Sequence, residues 1–506
     1  MADDQSAVIA FLGDAASYAA GDTSVERLET HISLVFLVGD RAYKLKRAVA
    51  FSYVDFSTVE RRRQFCAAEL ALNRRTAPQL YLDLRAISRR ADGSLGWGTD
   101  GEVLDWVVVM RRFDQNSRLD AIADAGGLAP PLLYALAAHI AEFHDKAERR
   151  PERGGAAALA AVMAENDACL RQCRDSGFVA DDIRDLRERS AAWLARVGDR
   201  LDRRRATGKV RRCHGDLHLR NICVLDRQPV LFDCIEFSDE FAAIDVLYDL
   251  AFLLMDLEHQ GHPGSANLVL NRYLDLTGED DGLVAMPLFL SLRAAIRAHV
   301  TAAAGAAPAE AQAYLDRSRA VLHPQPPRLI AIGGLSGTGK STLAAALAPE
   351  LGLRPGARVL RSDVARKRLF GLAPEAPLPE EAYAAEATER VYAALRDKAA
   401  TAVTAGYCAI IDAVALRSEE RDGFAAVARA AGVPFTGFWL EAPEATLAQR
   451  VTQRRGDASD ATADIVAQQA QTDPGPLDWV RIDASRGAAS TLAAVRAVVM
   501  PPVSGA

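Results

Sequence analysis

The chain has 506 residues, 50% of them hydrophobic, 25% charged and 7% aromatic, with 60 Lys plus Arg against 67 Asp plus Glu and a net charge of -7. At roughly 150 residues per domain this allows about three globular units, and it leaves no global basic field to condense on nucleic acid or anionic lipid. Seven cysteines without a CxxC pair speak against a disulfide framework or a zinc site. The acidic N-terminus with its short, interrupted apolar stretch is unlike a secretory signal. No run sustains the ~18 apolar residues of a membrane span, so a cytoplasmic protein in reducing surroundings is the expectation.

In chain order, the apolar run Leu34 to Val38, a Gly39-Asp40 turn and the alternating segment Ala42 to Lys46 predict a hairpin. Helical spacing follows between Ser57 and Leu72, with Phe65, Ala68, Glu69 and Leu72 in step. LDWVVVMRRF supplies another strand, and long helical stretches run from about Pro131 to Arg205. A small strand-rich lobe, about 1–113, joined to a helical lobe, about 114–322, is the expected first domain. Prolines 324, 326 and 327 close an Ala-rich segment and place a boundary at 322/323. Beyond it, 323–506 alternates strand and helix (RLIAIGG, RVLRSD, YCAIIDA, PFTGFWLEA), the pattern of a parallel α/β sheet. The Ala-rich tail from Gly487 reads as a helix that then frays.

His214-Gly215-Asp216-Leu217-His218-Leu219-Arg220-Asn221 has the form H-x-D-x-x-x-x-N, and Asp233 follows at the end of an apolar strand. Phosphoryl transfer from ATP needs such a set: an Asp to accept the acceptor hydroxyl's proton, and an Asn and a second Asp to hold Mg²⁺. The alternative, loop residues bonding their own backbone, leaves Asp233 unexplained. HGDLHLRN with LFDCIEF resembles the catalytic loop and metal-binding segment of the aminoglycoside phosphotransferase family, of protein-kinase-like fold, over about residues 25 to 300. The resemblance implies Asp216 as catalytic base, Asn221 and Asp233 as Mg²⁺ ligands and His214 as the brace of the loop. It also implies Lys44 or Lys46 at the ATP phosphates, paired with Glu69. The two lysines share a strand face, so periodicity does not rank them; Ala42-Tyr43-Lys44 resembles the A-x-K of the kinase lysine and slightly favours Lys44, whereas Leu45 before Lys46 resembles phosphotransferases with an apolar residue before the lysine. The first 40 residues hold no G-x-G-x-x-G. Asp245 and Asp249, four apart on an expected helix, read as capping or surface groups or as a brace for the site. Arg203, Arg204, Arg205, Lys209, Arg211 and Arg212 read as a solvated charged face, the alternative being a patch that attracts an anionic substrate. Aminoglycosides are polycations and call for an acidic patch, so the resemblance does not imply antibiotic resistance.

Gly334-Leu335-Ser336-Gly337-Thr338-Gly339-Lys340-Ser341-Thr342 completes G-x-x-x-x-G-K-[ST] from Gly334, between a strand and a helix. Its glycines let backbone N–H groups turn onto a phosphate, Lys340 reaches the outer phosphates and the Ser341 hydroxyl ligates Mg²⁺. Asp363 and Asp412 end the next two strands, where an open parallel sheet places its ligand crevice. Arg450, Arg454 and Arg455 have the spacing of a lid. SGTGKST, SDVAR, IIDA and RxxxRR together resemble the small P-loop kinases that include gluconate kinase, chloramphenicol phosphotransferase and the kinase domain of polynucleotide kinase. That resemblance implies Asp363 as acceptor base, Asp412 as a metal or substrate contact and Arg366 as an acceptor-binding arginine. The whole chain resembles bacterial fusions of an aminoglycoside phosphotransferase with an ATP-binding domain. Two ATP- and Mg-dependent sites phosphorylating small hydroxylated metabolites are expected. The alternatives are that one half is a nucleotide-gated regulator, or that the second is a polynucleotide 5′-hydroxyl kinase, which the net acidity disfavours.

Overall fold

The computed structural model describes residues 3–18, 24–51, 54–173, 177–453 and 458–500. It divides into two compact units, Met1–Gly155 with Asp202–Leu253, and Ala156–Leu201 with Leu254–Ala506. The expected boundary at 322/323 falls inside the second unit, which gathers helices from before the proline-rich segment as well as the strand-helix half after it.

In chain order, α1 (Ser6–Gly13), β1 (Glu26–Glu29), β2 (Ser33–Val38), β3 (Arg41–Lys46) and α2 (Val59–Asn73) lead to β4 (Tyr81–Arg89), β5 (Leu95–Trp97) and β6 (Glu102–Arg111). The six strands form an antiparallel sheet in the order β1-β2-β3-β6-β4-β5. The predicted hairpin is β2–β3, with Val38 opposite Arg41 across the Gly39-Asp40 turn, where Gly39 takes φ of 54°. Strand alternation divides the side chains between two cores. Leu34, Phe36, Val38, Tyr43 and Leu45 join Val8 and Leu12 of α1 on one face; Leu37 and Ala42 join Cys66 of α2 on the other. Lys44 and Lys46, in step with Ala42, therefore lie on the face that α2 covers.

Next come α3 (Pro130–Lys146), α4 (Gly155–Gln172), α5 (Ala180–Ala206), β7 (Val210–Arg212), the hairpin β8 (Ile222–Leu225) and β9 (Gln228–Leu231), β10 (Ala243–Asp245) and α6 (Val246–His259). The basic run before the catalytic loop is solvated only in part: Arg203 is exposed and Arg205 and Lys209 are half-buried. Arg204, Arg211 and Arg212 are buried: Arg204 makes a two-pronged ion pair with Asp245, at 2.8 and 2.9 Å, and Arg211 and Arg212 form part of β7, which pairs with β10. A charge run looks the same in sequence whether its partners are water or carboxylates brought in from 40 residues away. Asp245 closes β10 rather than lying on the helix, and both Asp245 and Asp249 are buried.

The second unit continues with α7 (Pro263–Thr277), α8 (Met286–Ala303) and α9 (Pro308–Ala320), then β11 (Leu329–Gly333), α10 (Lys340–Leu347), β12 (Arg358–Arg361), α11 (Ser362–Leu369), α12 (Ala385–Thr404), β13 (Ala409–Asp412), α13 (Ser418–Ala431), β14 (Phe435–Glu441), α14 (Glu444–Gln453), α15 (Ala463–Ala470), β15 (Val480–Asp483) and α16 (Ala488–Val499). The expected parallel sheet is present in the order β12-β13-β11-β14-β15. Strand β15, the short alternation Val480, Arg481, Ile482, Asp483, is not among the expected strands, and it is mostly exposed, as suits an edge. The expected fraying of the tail after α16 falls outside the described residues. Among the described residues one helical stretch, Glu279–Ala303, is apolar and long enough to cross a membrane, and 72% of its apolar window is buried inside the protein.

Burial of charge ties the helices to the sheet edge. Arg358, at the start of β12 and 1% exposed, pairs with Asp280 at 2.7 Å and with Asp275 at 2.8 Å, and Lys398 of α12 completes the set at 2.8 Å from Asp280. Asn271 of α7 accepts from the Val359 N–H at 2.8 Å, and Asn267 donates to the Ala357 carbonyl at 3.0 Å. These bonds satisfy the outward backbone groups of an edge strand. Burial pushes the Asp280 carboxyl up, but Arg358 and Lys398 outweigh it and hold it at about 2, against the usual 3.8. Asp280→Asn leaves the buried Arg358 with Asp275 as its remaining ion-pair partner and lowers stability by on the order of 2 kcal/mol, measured by denaturant unfolding at pH 7. Because the folded-state value is depressed, the Asp280 contribution is complete above the usual 3.8 and fades as pH falls through about 2. The variant therefore loses this part of the acid limb of the wild-type stability curve.

Candidate active sites

In the first unit the catalytic loop leaves β7 at Cys213 and reaches β8 after Asn221. Its turn requires Gly215, at φ of 84°, because a Cβ there would lie 3.1 Å from the Phe241 carbonyl oxygen. Asp249 of α6, fully buried, holds the loop from behind. One oxygen accepts from the Gly215 N–H at 2.8 Å, and the other from the His214 N–H at 3.1 Å and His144 Nε2 at 3.0 Å. Burial pushes the His214 imidazole below its ordinary value, so it stays neutral, and its Nε2–H donates to the Phe232 carbonyl at 3.0 Å. That bond joins the loop to the residue before Asp233. Asn221 Nδ2 donates to both the carboxylate and the carbonyl of Asp216, each at 2.9 Å, and His218 Nε2 lies 3.4 Å from the same carboxylate.

The strand lysines meet α2 as the shared face requires. Lys44 Nζ lies 2.7 Å from Glu69 and 2.6 Å from Asp233; Lys46 Nζ lies 2.6 Å from Glu69 and 2.5 Å from Glu236. The two lysines are not equivalent, since the Lys46 side chain is 1% exposed and that of Lys44 14%. Burial pushes the Glu69 carboxyl up, yet the two ammonium groups outweigh it and hold it at about 2. Asp233 takes φ of 61°, and its N–H donates to the buried Tyr81 hydroxyl at 3.1 Å. Sequence reasoning overlooked Glu236 and Tyr81. Glu236 was readable as the second carboxylate of D-x-x-E, matching the second lysine of K-x-K; Tyr81 gave no signal.

The second unit gathers its expected residues around one cavity of about 1080 Å³, lined by Ser336 to Thr342, Asp363, Arg366, Asp412 and Arg450. The loop after β11 needs glycine at 334 and 337: both have positive φ, 127° and 87°, and a Cβ would meet the Leu440 or Leu447 carbonyl oxygen at 2.5 or 2.8 Å. Lys340 Nζ donates to the Gly334 and Leu335 carbonyls at 2.8 and 3.0 Å, and the Ser341 hydroxyl donates to Asp412 at 2.6 Å. Asp363 follows β12. Burial, and then the neighbouring Asp412 carboxylate, push its carboxyl up. Arg450 donates to the Gly337 and Ala484 carbonyls at 3.4 and 3.0 Å. Arg366 donates to the Ala382 carbonyl and the Thr388 hydroxyl and lies over the Tyr383 ring. Arg454 and Arg455 lie outside the described residues. All seven cysteines are free thiols.

With this geometry in hand, comparison with known proteins decides the family. Residues 33–285 match the phosphotransferase enzyme family, and residues 329–474 match an AAA domain. The chain belongs to the phosphotransferase enzyme family. It is also 32% identical over 463 residues to the uncharacterized proteins Rv2004c of Mycobacterium tuberculosis and Mb2027c of Mycobacterium bovis, covering 88% of this chain and 90% of each relative. Among solved structures, a choline/ethanolamine kinase family protein from Mesorhizobium loti covers 63% of this chain and 94% of its own, at 14% identity and a TM-score of 0.40. A gluconokinase from Sinorhizobium meliloti 1021 covers 34% and 90%, at 22% identity and a TM-score of 0.24. The chain is thus a phosphotransferase enzyme with a kinase-like domain followed by a P-loop domain on a five-stranded parallel sheet.

The unequal burial of the two lysines has a measurable consequence. Lys46→Met leaves Glu69 and Glu236 facing each other without their shared cation and lowers stability by on the order of 3 kcal/mol. Lys44→Met costs less, because its carbon chain and the partner Asp233 keep contact with water. Chemical unfolding of the two variants side by side measures the difference.

Proposed function

We propose that each half transfers the γ-phosphoryl group of ATP to a hydroxyl of a small metabolite. The observation that carries this reading is Lys44, whose ammonium joins Glu69 at 2.7 Å and Asp233 at 2.6 Å. A lysine held between a helix carboxylate and the aspartate after the catalytic hairpin is the arrangement that aligns nucleotide phosphates in kinase-like sites.

In the first unit Asp216 is the base, its carboxylate oriented by the Asn221 amide so that it accepts the proton of an incoming hydroxyl. The remaining donors here, the Asn221 carbonyl oxygen and the Asp233 carboxylate, are hard oxygens of the kind Mg²⁺ takes, and bound Mg²⁺ would neutralise charge on the phosphates. His214 and Asp249 touch no reacting atom; they hold the loop so that Asp216 and Asp233 keep their separation. Lys44 supplies positive charge to the phosphates, while Lys46 fixes Glu69 and Glu236.

In the second unit the backbone of residues 334–339 and Lys340 cradle the phosphates, at the N-terminus of α10 where the helix dipole favours anions. Ser341 and Asp412 offer hydroxyl and carboxylate oxygens that fit Mg²⁺. Asp363, with its carboxyl pushed up by burial and by Asp412, is the base that takes the acceptor's proton. Arg450, bonded to the loop, steadies its far side. Acidity overall, a net -7, favours a small acceptor over a polynucleotide, which would call for a basic track.

Single variants of the full chain test the reading. Incubated with labelled ATP and a fractionated metabolite pool, the wild type yields labelled products of two classes. Asp216→Ala lowers one class by about 10² to 10⁴-fold and Lys340→Ala removes the other. If both variants keep full acceptor-dependent turnover, the reading is wrong. Lys44→Met further abolishes nucleotide binding at the first site, read by equilibrium binding in a Lys340→Ala background.

A further inference from the structure

The proposed acceptor side of the P-loop cavity already holds an alcohol. Ser459 lines the same cavity as Ser336 to Thr342 and Asp363, and its side chain is hydrogen-bonded to the Asp363 carboxylate. The next residue, Asp460, is fastened on two sides. Its oxygens lie 3.2 Å from the fully buried Lys367 ammonium and 3.2 Å from the Tyr383 hydroxyl. Lys367 belongs to the same short helix, α11, as Asp363, so the lysine that fastens Asp460 and the carboxylate that meets Ser459 move together.

A base must lie within hydrogen-bond reach of the proton it removes, and Ser459 meets that condition at Asp363 without any diffusing substrate. Proximity of this kind converts a two-molecule reaction into an internal one. We propose that Ser459 is an internal phosphoryl acceptor, modified by the P-loop site of its own chain. The inference rests on the kinase reading of this site given above. In the step, Ser459 Oγ forms a bond to the γ-phosphorus of a bound nucleoside triphosphate. The bond from that phosphorus to the β,γ-bridging oxygen breaks, the nucleoside diphosphate leaves with the electron pair, and the serine proton passes to Asp363.

The product differs sharply from the starting state. A phosphoserine carries about -1.5 to -2 charge where the hydroxyl had bonded to the Asp363 carboxylate. Repulsion between the two frees the Ser459 side chain from Asp363, and the position is then open to an external alcohol. A first turnover on Ser459 would therefore precede full activity toward metabolites.

The test uses the full chain with magnesium and labelled ATP, without added alcohol, followed by peptide mapping. The expected result is about one phosphate per chain on Ser459, appearing at a rate independent of protein concentration. Ser459→Ala removes it, Ser459→Thr restores it, and Asp363→Asn slows it by at least about 10²-fold. Wild-type protein that binds ATP in a Lys340-dependent manner yet carries no phosphate at Ser459 overturns the proposal and leaves the kinase reading standing. ATP binding to the Lys44→Met chain that is indifferent to Lys340→Ala overturns both.

Discussion

A carboxylate with no access to solvent, Glu69, stays ionised because two ammonium groups reach it from one strand. Isolated, it would take up a proton rather than carry charge in an apolar setting. Paired with Lys44 and Lys46, it becomes the fixed point from which the first site is laid out. Each lysine has a second carboxylate, Asp233 or Glu236, so the segment after β9 is hung from the sheet at two points three residues apart. The direction of that segment, and hence the placement of Asp233 against the Asp216 loop, follows from the pair of ion pairs. A single lysine would fix a distance; two fix an orientation as well.

The second unit reaches a comparable end by other means. Its P-loop owes its shape to backbone crowding: a side chain at 334 or 337 would collide with carbonyls of β14 or α14. Charged side chains enter at Lys340 and where Ser341, Asp412 and Asp363 come together. Kinase-like and P-loop architectures thus divide the same task differently. The first positions charge with side chains brought from distant parts of the chain; the second sets its loop by backbone geometry that is local in sequence.

That contrast explains what was legible in the sequence. The P-loop, Asp363 and Asp412 are read from contiguous letters because strand ends and turns are local, and the five-stranded parallel sheet follows from strand-helix alternation. The H-x-D-x-x-x-x-N loop is equally local. Glu69 was visible through helical phase, and the shared face of Lys44 and Lys46 through strand phase, yet neither phase says that both lysines converge on one carboxylate. Asp249 was ambiguous, since its three donors come from positions 144, 214 and 215. Arg204, Arg211 and Arg212 were misread as solvated because a buried arginine differs from an exposed one only through its distant partners. The edge strand β15 does alternate, Val480, Arg481, Ile482, Asp483, but it is four residues long and mostly exposed, too short a run to stand out.

Arg358 has a consequence for how such a chain can arise and be rearranged. The prolines before β11 look like a seam at which two genes were joined and could be parted again. The carboxylates that neutralise Arg358, however, are Asp275 and Asp280, on the far side of that seam. A recombinant that exchanged everything after the prolines for another P-loop domain would leave those acids facing a strand without the matching guanidinium. Inheritance of the two parts is thereby linked: successful shuffling requires the break to fall upstream of the acids, or the arginine and its acids to change in concert.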